Sequence, residues 1–194
     1  MKRFSALLLS IVLAFSFIPA ASAAKMVQTF STDYFQIYIP GDWIIDQSGQ
    51  QDLHGGLDFG FMYAKDETMM IESYMFFYDD WAENSLWKAP PEVSALWAEY
   101  IDFLKADFAE EDPRYLGYVY AGKYPAAVFS GTNDYGAFLY GEIMINAYSY
   151  GFYFYRLNED GSINSDLTED DIELFESILQ TFVPSQSHAP ASGN

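Results

Sequence analysis

Alternation of apolar and polar residues dominates the first half of the chain. Tyr34-Phe35-Gln36-Ile37-Tyr38-Ile39 is rich in aromatic and β-branched residues and predicts a strand, closed by turn chemistry at Pro40-Gly41-Asp42. The stretch before it, Thr29 to Asp33, is polar. Trp43-Ile44-Ile45 resumes an extended apolar run, and Gln47 to Gly56 reads as a polar, glycine-containing loop. Leu57 to Ala64 alternates around Asp58 and Gly60, and Lys65 to Thr68 supplies a hairpin connection to the next run. Met69 to Tyr78 is nearly continuously apolar, interrupted only by Glu72 and Ser73, the pattern of a central strand covered on both faces.

The period then changes. After Pro90 and Pro91, residues Val93, Leu96, Trp97, Tyr100, Ile101, Leu104 and Phe108 recur at three- and four-residue spacing, which predicts an amphipathic helix with proline in its first turn. Glu110-Glu111-Asp112 would oppose the dipole of a last helical turn and is expected in a solvated connection. Tyr115 to Tyr120 and Tyr124 to Ser130 read as strands joined at Ala121-Gly122-Lys123. Ala137 to Ala147 and Phe152 to Leu157 form a second pair around Ser149-Tyr150-Gly151. Thr168 is an expected N-cap, with Glu169, Asp170 and Asp171 in the first turn. Ile172, Phe175, Ile178, Leu179 and Phe182 make the apolar face of that second helix, which Pro184 ends; residues 185–194 read as a disordered tail.

Strands segregated from two covering helices argue an α+β domain over residues 24–184, with no internal repeat and no linker. The segment Phe35-Gln36-Ile37-Tyr38-Ile39-Pro40-Gly41-Asp42-Trp43 resembles the aromatic–apolar–Ile-Pro-x-x-Trp opening of the PsbP/Mog1-like superfamily. Phe175 to Phe182 is similar to that family's terminal helix, with its closing Ile-x-x-x-Phe pattern. The resemblance implies an α/β/α sandwich around a mostly antiparallel sheet. It implies little about activity, because the superfamily holds photosystem subunits, a nuclear transport factor and many exported bacterial proteins. No site residues carry over from it.

The N-terminus sets the compartment. Lys2 and Arg3 precede an apolar run from Leu7 to Phe17, and Ala21-Ser22-Ala23 supplies a small-x-small cleavage pattern, so residues 1–23 read as a signal peptide and the mature chain is expected to begin at Ala24. The run is well short of the roughly 20 residues that span a bilayer. Export is thus to the periplasm or the extracellular space. The chain has no cysteine, which removes disulfides, thiolate metal sites, a cysteine nucleophile and a lipoprotein anchor. The stability of the mature chain is expected to rest on packing of the 34 Phe, Tyr and Trp that remain of 37 once Phe4, Phe15 and Phe17 are removed. The net charge is −19 and becomes −21 once Lys2 and Arg3 are removed. Such a surface favours solubility, or attraction for cations or a basic partner, and argues against nucleic acid and anionic membranes.

Catalytic signatures are missing. No Gly-x-Ser-x-Gly, His-Glu-x-x-His or phosphate-loop motif occurs, and the two histidines are His54 in a glycine-rich loop and His188 in the tail. Set against a calcium loop, Asn158 to Asn164 puts Arg156 and Leu167 at the two anchoring positions, so it reads as a turn and no metal or cofactor is expected. The most distinctive loop is Asp79-Asp80-Trp81-Ala82-Glu83-Asn84-Ser85-Leu86-Trp87-Lys88. There Trp81 and Trp87, with Asp79 and Asp80, either present a surface to a sugar ring or protein partner, or fold back over the sheet end. Two functions follow: a non-enzymatic exported binding or interaction module for an unidentified protein or glycan, or a glycan-binding or glycan-cleaving protein using those four residues. A carboxylate-pair mechanism remains compatible with 28 acidic residues.

Overall fold

The computed structural model describes residues 26–48, 51–53, 56–81 and 86–185. The signal-peptide reading, His54, His188 and the tail from residue 186 lie outside the described residues. In chain order the elements are β1 (Met26–Ser31), β2 (Phe35–Pro40), β3 (Ile44–Asp46), β4 (Gln51–Leu53), β5 (Gly56–Tyr63) and β6 (Met69–Phe77). There follow α1 (Ala95–Asp107), β7 (Arg114–Ala121), β8 (Tyr124–Asn133), β9 (Gly136–Ile145), β10 (Tyr148–Arg156), α2 (Glu169–Leu179) and β11 (Val183–Pro184). Every strand pairing among the described residues is antiparallel. The large sheet has the order β3-β5-β6-β10-β9-β8-β7, with β4 on β5, and a small sheet has the order β1-β2-β11. This is an α+β architecture with a covering layer on each face of the large sheet.

The two covers bury different side chains. On one face Phe30, Phe35, Ile37 and Ile39 of the small sheet meet Phe175, Ile178 and Leu179 of α2 over Ile71, Tyr150, Phe152 and Phe154. Phe35 is the hub, with ring centroids 5.4 Å from Phe152, 5.6 Å from Phe182 and 5.3 Å from Phe59. On the other face Trp97, Tyr100, Ile101 and Leu104 of α1 pack on Ala127, Phe129, Phe138 and Tyr140. The period of two along β10 accounts for the division: Phe152 and Phe154 point to α2, and Tyr153 and Tyr155 to α1.

Most expected elements are present, with five differences. β1 occupies part of the stretch read as polar, because pairing with β2 buries Phe30 in the core. β4 lies inside the expected Gln47–Gly56 loop, paired with β5. α1 does not begin at Pro90: a 3₁₀ turn at Pro91–Val93 precedes it, Val93 is exposed, and Ser94 Oγ accepts the Trp97 N–H at 3.2 Å as the N-cap. The β9–β10 turn is at Asn146-Ala147, with Asn146 in the left-handed region at φ 54°, so Ser149-Tyr150-Gly151 belongs to β10. Ser185, expected in the tail, donates its N–H to the Tyr34 carbonyl at 2.7 Å. The Asn158–Asn164 segment is a turn closed by its own bonds, with Ser162 donating to Asp160 and Leu157 bridging Ile163.

Thr168 caps α2 as expected, and Asp171 completes a capping box. Asp171 is 1% exposed and also receives the Arg156 guanidinium, Nη2 to Oδ1 at 2.7 Å and Nε to Oδ2 at 3.1 Å. Burial pushes the Asp171 carboxyl up, but hydrogen bonds from Arg156 and Thr168 outweigh it and hold the group below its ordinary 3.8. Stability from this group is therefore complete above that value and lost as pH falls through the folded pKa. Asp171→Ala is expected to cost about 2–4 kcal/mol, seen as a lower denaturant midpoint. Asp171→Asn is expected to flatten the acid limb of stability against pH; an unchanged limb would contradict the assignment.

Candidate functional site

Alternation along β6 places Glu72, Tyr74 and Phe76 on the α1 side of the sheet, with Tyr78 just beyond the strand end. The β6–β10 register sets Glu72 opposite Tyr153 and Tyr74 opposite Gly151. α1 packs over β8 and β9, so this part of the sheet is left only half-covered. The result is a cleft of about 350 Å³, floored by those strands and walled by Asp107 and Phe108 at the end of α1. Tyr140 and Tyr155 continue the floor, and Asn133 and Glu111 close the rim. Its size falls at the lower end of small-molecule sites.

The rings form one contiguous surface. Tyr153 lies 4.6 Å from Tyr140, 6.0 Å from Tyr74 and 6.0 Å from Tyr155, centroid to centroid, the last pair stacked. Phe108 meets Tyr140 edge-on at 4.6 Å. Two glycines permit this packing. A Cβ on Gly151 would stand 2.7 Å from the Tyr140 hydroxyl, and one on Gly131 would stand 2.7 Å from the Glu111 carbonyl oxygen. Gly131 thus admits the 3₁₀ turn Ala109–Glu111 against β8.

Carboxylates complete the cleft. Tyr74 donates to Glu72 Oε2 at 2.9 Å, and Tyr78 to Asp107 Oδ2 at 3.3 Å. Glu111 Oε2 is closed off from solvent and meets no donor among the described residues. Burial raises the Glu111 carboxyl above the ordinary range; it also raises Glu72, with Asp58 adding to the rise and the Tyr74 hydrogen bond opposing it. Burial and these carboxylates push the Tyr74, Tyr153 and Tyr155 hydroxyls up, so they stay protonated. Among the described residues no Lys, Arg or His lines the cleft. Among the described residues no three His, Cys, Asp or Glu side chains gather closely enough to hold a metal ion.

Behind the cleft a buried carboxylate holds α1 to the sheet. Glu142, 1% exposed, accepts the Tyr100 hydroxyl at 2.6 Å from α1 and the Tyr140 hydroxyl from its own strand. Tyr140 is therefore fixed at one end by Glu142 and lends its ring to the cleft.

Of the residues singled out in the sequence, Asp79, Asp80 and Trp81 line a smaller hollow of about 240 Å³ with Phe77, Tyr78 and Phe103. Trp81 itself is 9% exposed, packed on Tyr100 at 5.3 Å and Phe103 at 5.6 Å. Trp87 is not part of that hollow: it is half-buried against the α2-side core, with Lys123 Nζ 4.5 Å and Lys88 Nζ 5.3 Å from its ring. The cleft at β6 and β10 is lined by residues that the sequence analysis does not single out as a site. Glu72 is one of the two polar interruptions of β6, and the alternation Glu72-Tyr74-Phe76-Tyr78 was the available signal. Dipole reasoning places Glu111 in a solvated connection, whereas its turn folds back onto β8 and closes the rim.

No family model matches the sequence, and no curated protein matches it. Among solved structures the chain is similar to cyanobacterial PsbP (CyanoP) from Synechocystis sp. PCC 6803, at 12% identity and a TM-score of 0.47, over 81% of this chain and 91% of that one. It is also similar to a protein of Bacteroides thetaiotaomicron VPI-5482, at 13% identity and a TM-score of 0.43; 87% of this chain covers half of that one. No helix among the described residues is long and apolar enough to cross a membrane.

The Glu142 cluster gives a pH signature. Burial raises the Glu142 carboxyl above its ordinary 4.5, and the tyrosine hydrogen bonds only partly offset this. The folded state therefore holds that proton more tightly than the unfolded chain. Stability tied to it is complete below 4.5 and lost as pH rises through the folded pKa. In urea titrations across that window, the difference in stability between wild type and Glu142→Gln should shift steadily with pH, in favour of the variant as pH rises. A constant difference would contradict the assignment.

Proposed function

We propose that this protein is an exported, non-enzymatic binding module whose ligand occupies the cleft between β6, β10 and the end of α1. The observation that carries the reading is the ring surface around Tyr153, left half-covered by a helix that buries the rest of that face. Stable packing alone would have closed it, since a chain without cysteine gains most from burying its aromatic surface. The lining has carboxylates that accept tyrosine hydroxyls, and among the described residues no Ser, Thr, Lys or His beside them to serve as an activated nucleophile. Export rests on the charged, apolar and small-residue order of residues 1–23.

The glycan-binding or glycan-cleaving alternative has support in the hollow at Asp79, Asp80 and Trp81. Trp87 stands apart from that hollow, packed in the other layer, so the larger cleft is the stronger basis.

Two measurements check this reading. Mass spectrometry of protein recovered outside the cytoplasm should find a chain beginning at Ala24; exclusive recovery from the cytoplasm with Met1 retained would contradict export. A ligand-observed NMR screen of small molecules should give hits that vanish with Tyr74→Ala, while glycosides, esters and peptides are not turned over. Turnover that disappears with Glu72→Gln or Glu111→Gln would overturn the non-enzymatic reading. Hits that persist with Tyr74→Ala but vanish with Trp81→Ala would favour the smaller hollow.

A further inference from the structure

We infer that the cleft takes a small organic ammonium ion, with its charge set between Glu72 and Glu111 and its carbon body on the rings of Tyr74, Phe108 and Tyr153. The inference rests on the cleft being the binding site and adds the ligand's chemistry. Four observations point the same way. The ring faces are negative at their centres and attract cations, an interaction that strengthens when water is excluded. Three carboxylates share the cleft, and among the described residues no basic side chain lines it to neutralise them. Glu111 Oε2, shut off from solvent, is an acceptor whose desolvation no donor among the described residues offsets. An anionic or phosphorylated ligand would add charge of the wrong sign to a chain already at −19.

A metal ion fits less well. The carboxylates do not gather at metal-ligand spacing among the described residues, and most of the wall is ring carbon. A carbon-bearing cation uses both features at once. The limited volume favours a free ion of a few carbons over a folded partner's surface.

The test is isothermal titration of the purified protein with two matched pairs, choline against its neutral isostere 3,3-dimethylbutan-1-ol, and n-butylammonium against n-butanol. At least one cation should bind ten times or more tightly than its neutral partner. The double variant Glu72→Gln, Glu111→Gln should weaken that cation at least tenfold with the neutral partner unaffected, and its melting curve should remain cooperative. Equal affinity within both pairs would overturn the ammonium inference while leaving the cleft as a binding site. No binding by either cation would also overturn it, and the Tyr74→Ala screen would then decide the cleft separately. Tri-lysine, which carries the same head group on a peptide, should bind no more tightly than n-butylammonium; tighter binding would overturn the assignment to a small free ion.

Discussion

The buried carboxylate of Glu142, held between Tyr100 and Tyr140, fixes where α1 lies on the sheet. A carboxyl this deep is costly without donors, and the two nearest come from different elements. Hydrophobic packing of Trp97, Ile101 and Leu104 would tolerate a helix that slid along β8 and β9, because apolar contact is non-directional. The hydroxyl of Tyr100 does not tolerate sliding. Its bond to Glu142 sets the register of α1, and hence the position of Asp107, Phe108 and the turn that carries Glu111. The rim of the cleft is in this sense determined by a residue that does not line it.

Both layers are held by aromatic contact, but they differ in character. The α2 side centres on Phe35, Phe152 and Phe182 and is almost wholly apolar, with the Arg156–Asp171 pair pinning the start of α2. The α1 side is tyrosine-rich, and the hydroxyls of Tyr74, Tyr78, Tyr100 and Tyr140 are committed to Glu72, Asp107 and Glu142. Tyrosine there does what phenylalanine cannot: it packs by its ring and satisfies a desolvated carboxylate at its tip. The same pairing leaves a face that is aromatic and negative, which is the chemistry that recognises an organic cation.

The α+β class, the apolar face of each helix and the Thr168 cap were legible in the sequence, because period and capping are local. The division of Phe152 and Phe154 from Tyr153 and Tyr155 was legible for the same reason. What depended on pairing was not. β1 became a strand by joining β2, and Gly151, which reads as a turn residue, lies within β10 where the Tyr140 hydroxyl needs the space. Glu111 illustrates the limit for the site. Dipole reasoning sends it to solvent, and only Gly131, one strand away, lets its turn fold back onto β8. The tryptophan loop drew attention by composition, yet composition does not reveal that Trp81 faces Tyr100 while Trp87 packs in the other layer.

The central claim is that an ammonium ion rests on the rings beside Glu72 and Glu111. Intermolecular nuclear Overhauser effects from the N-methyl protons of choline test it most directly. The account predicts contacts to ring protons of Tyr74, Phe108 and Tyr153, with none to Trp87. Contacts confined to Trp81 or Trp87, or saturating choline with no contact to those three rings, would contradict it.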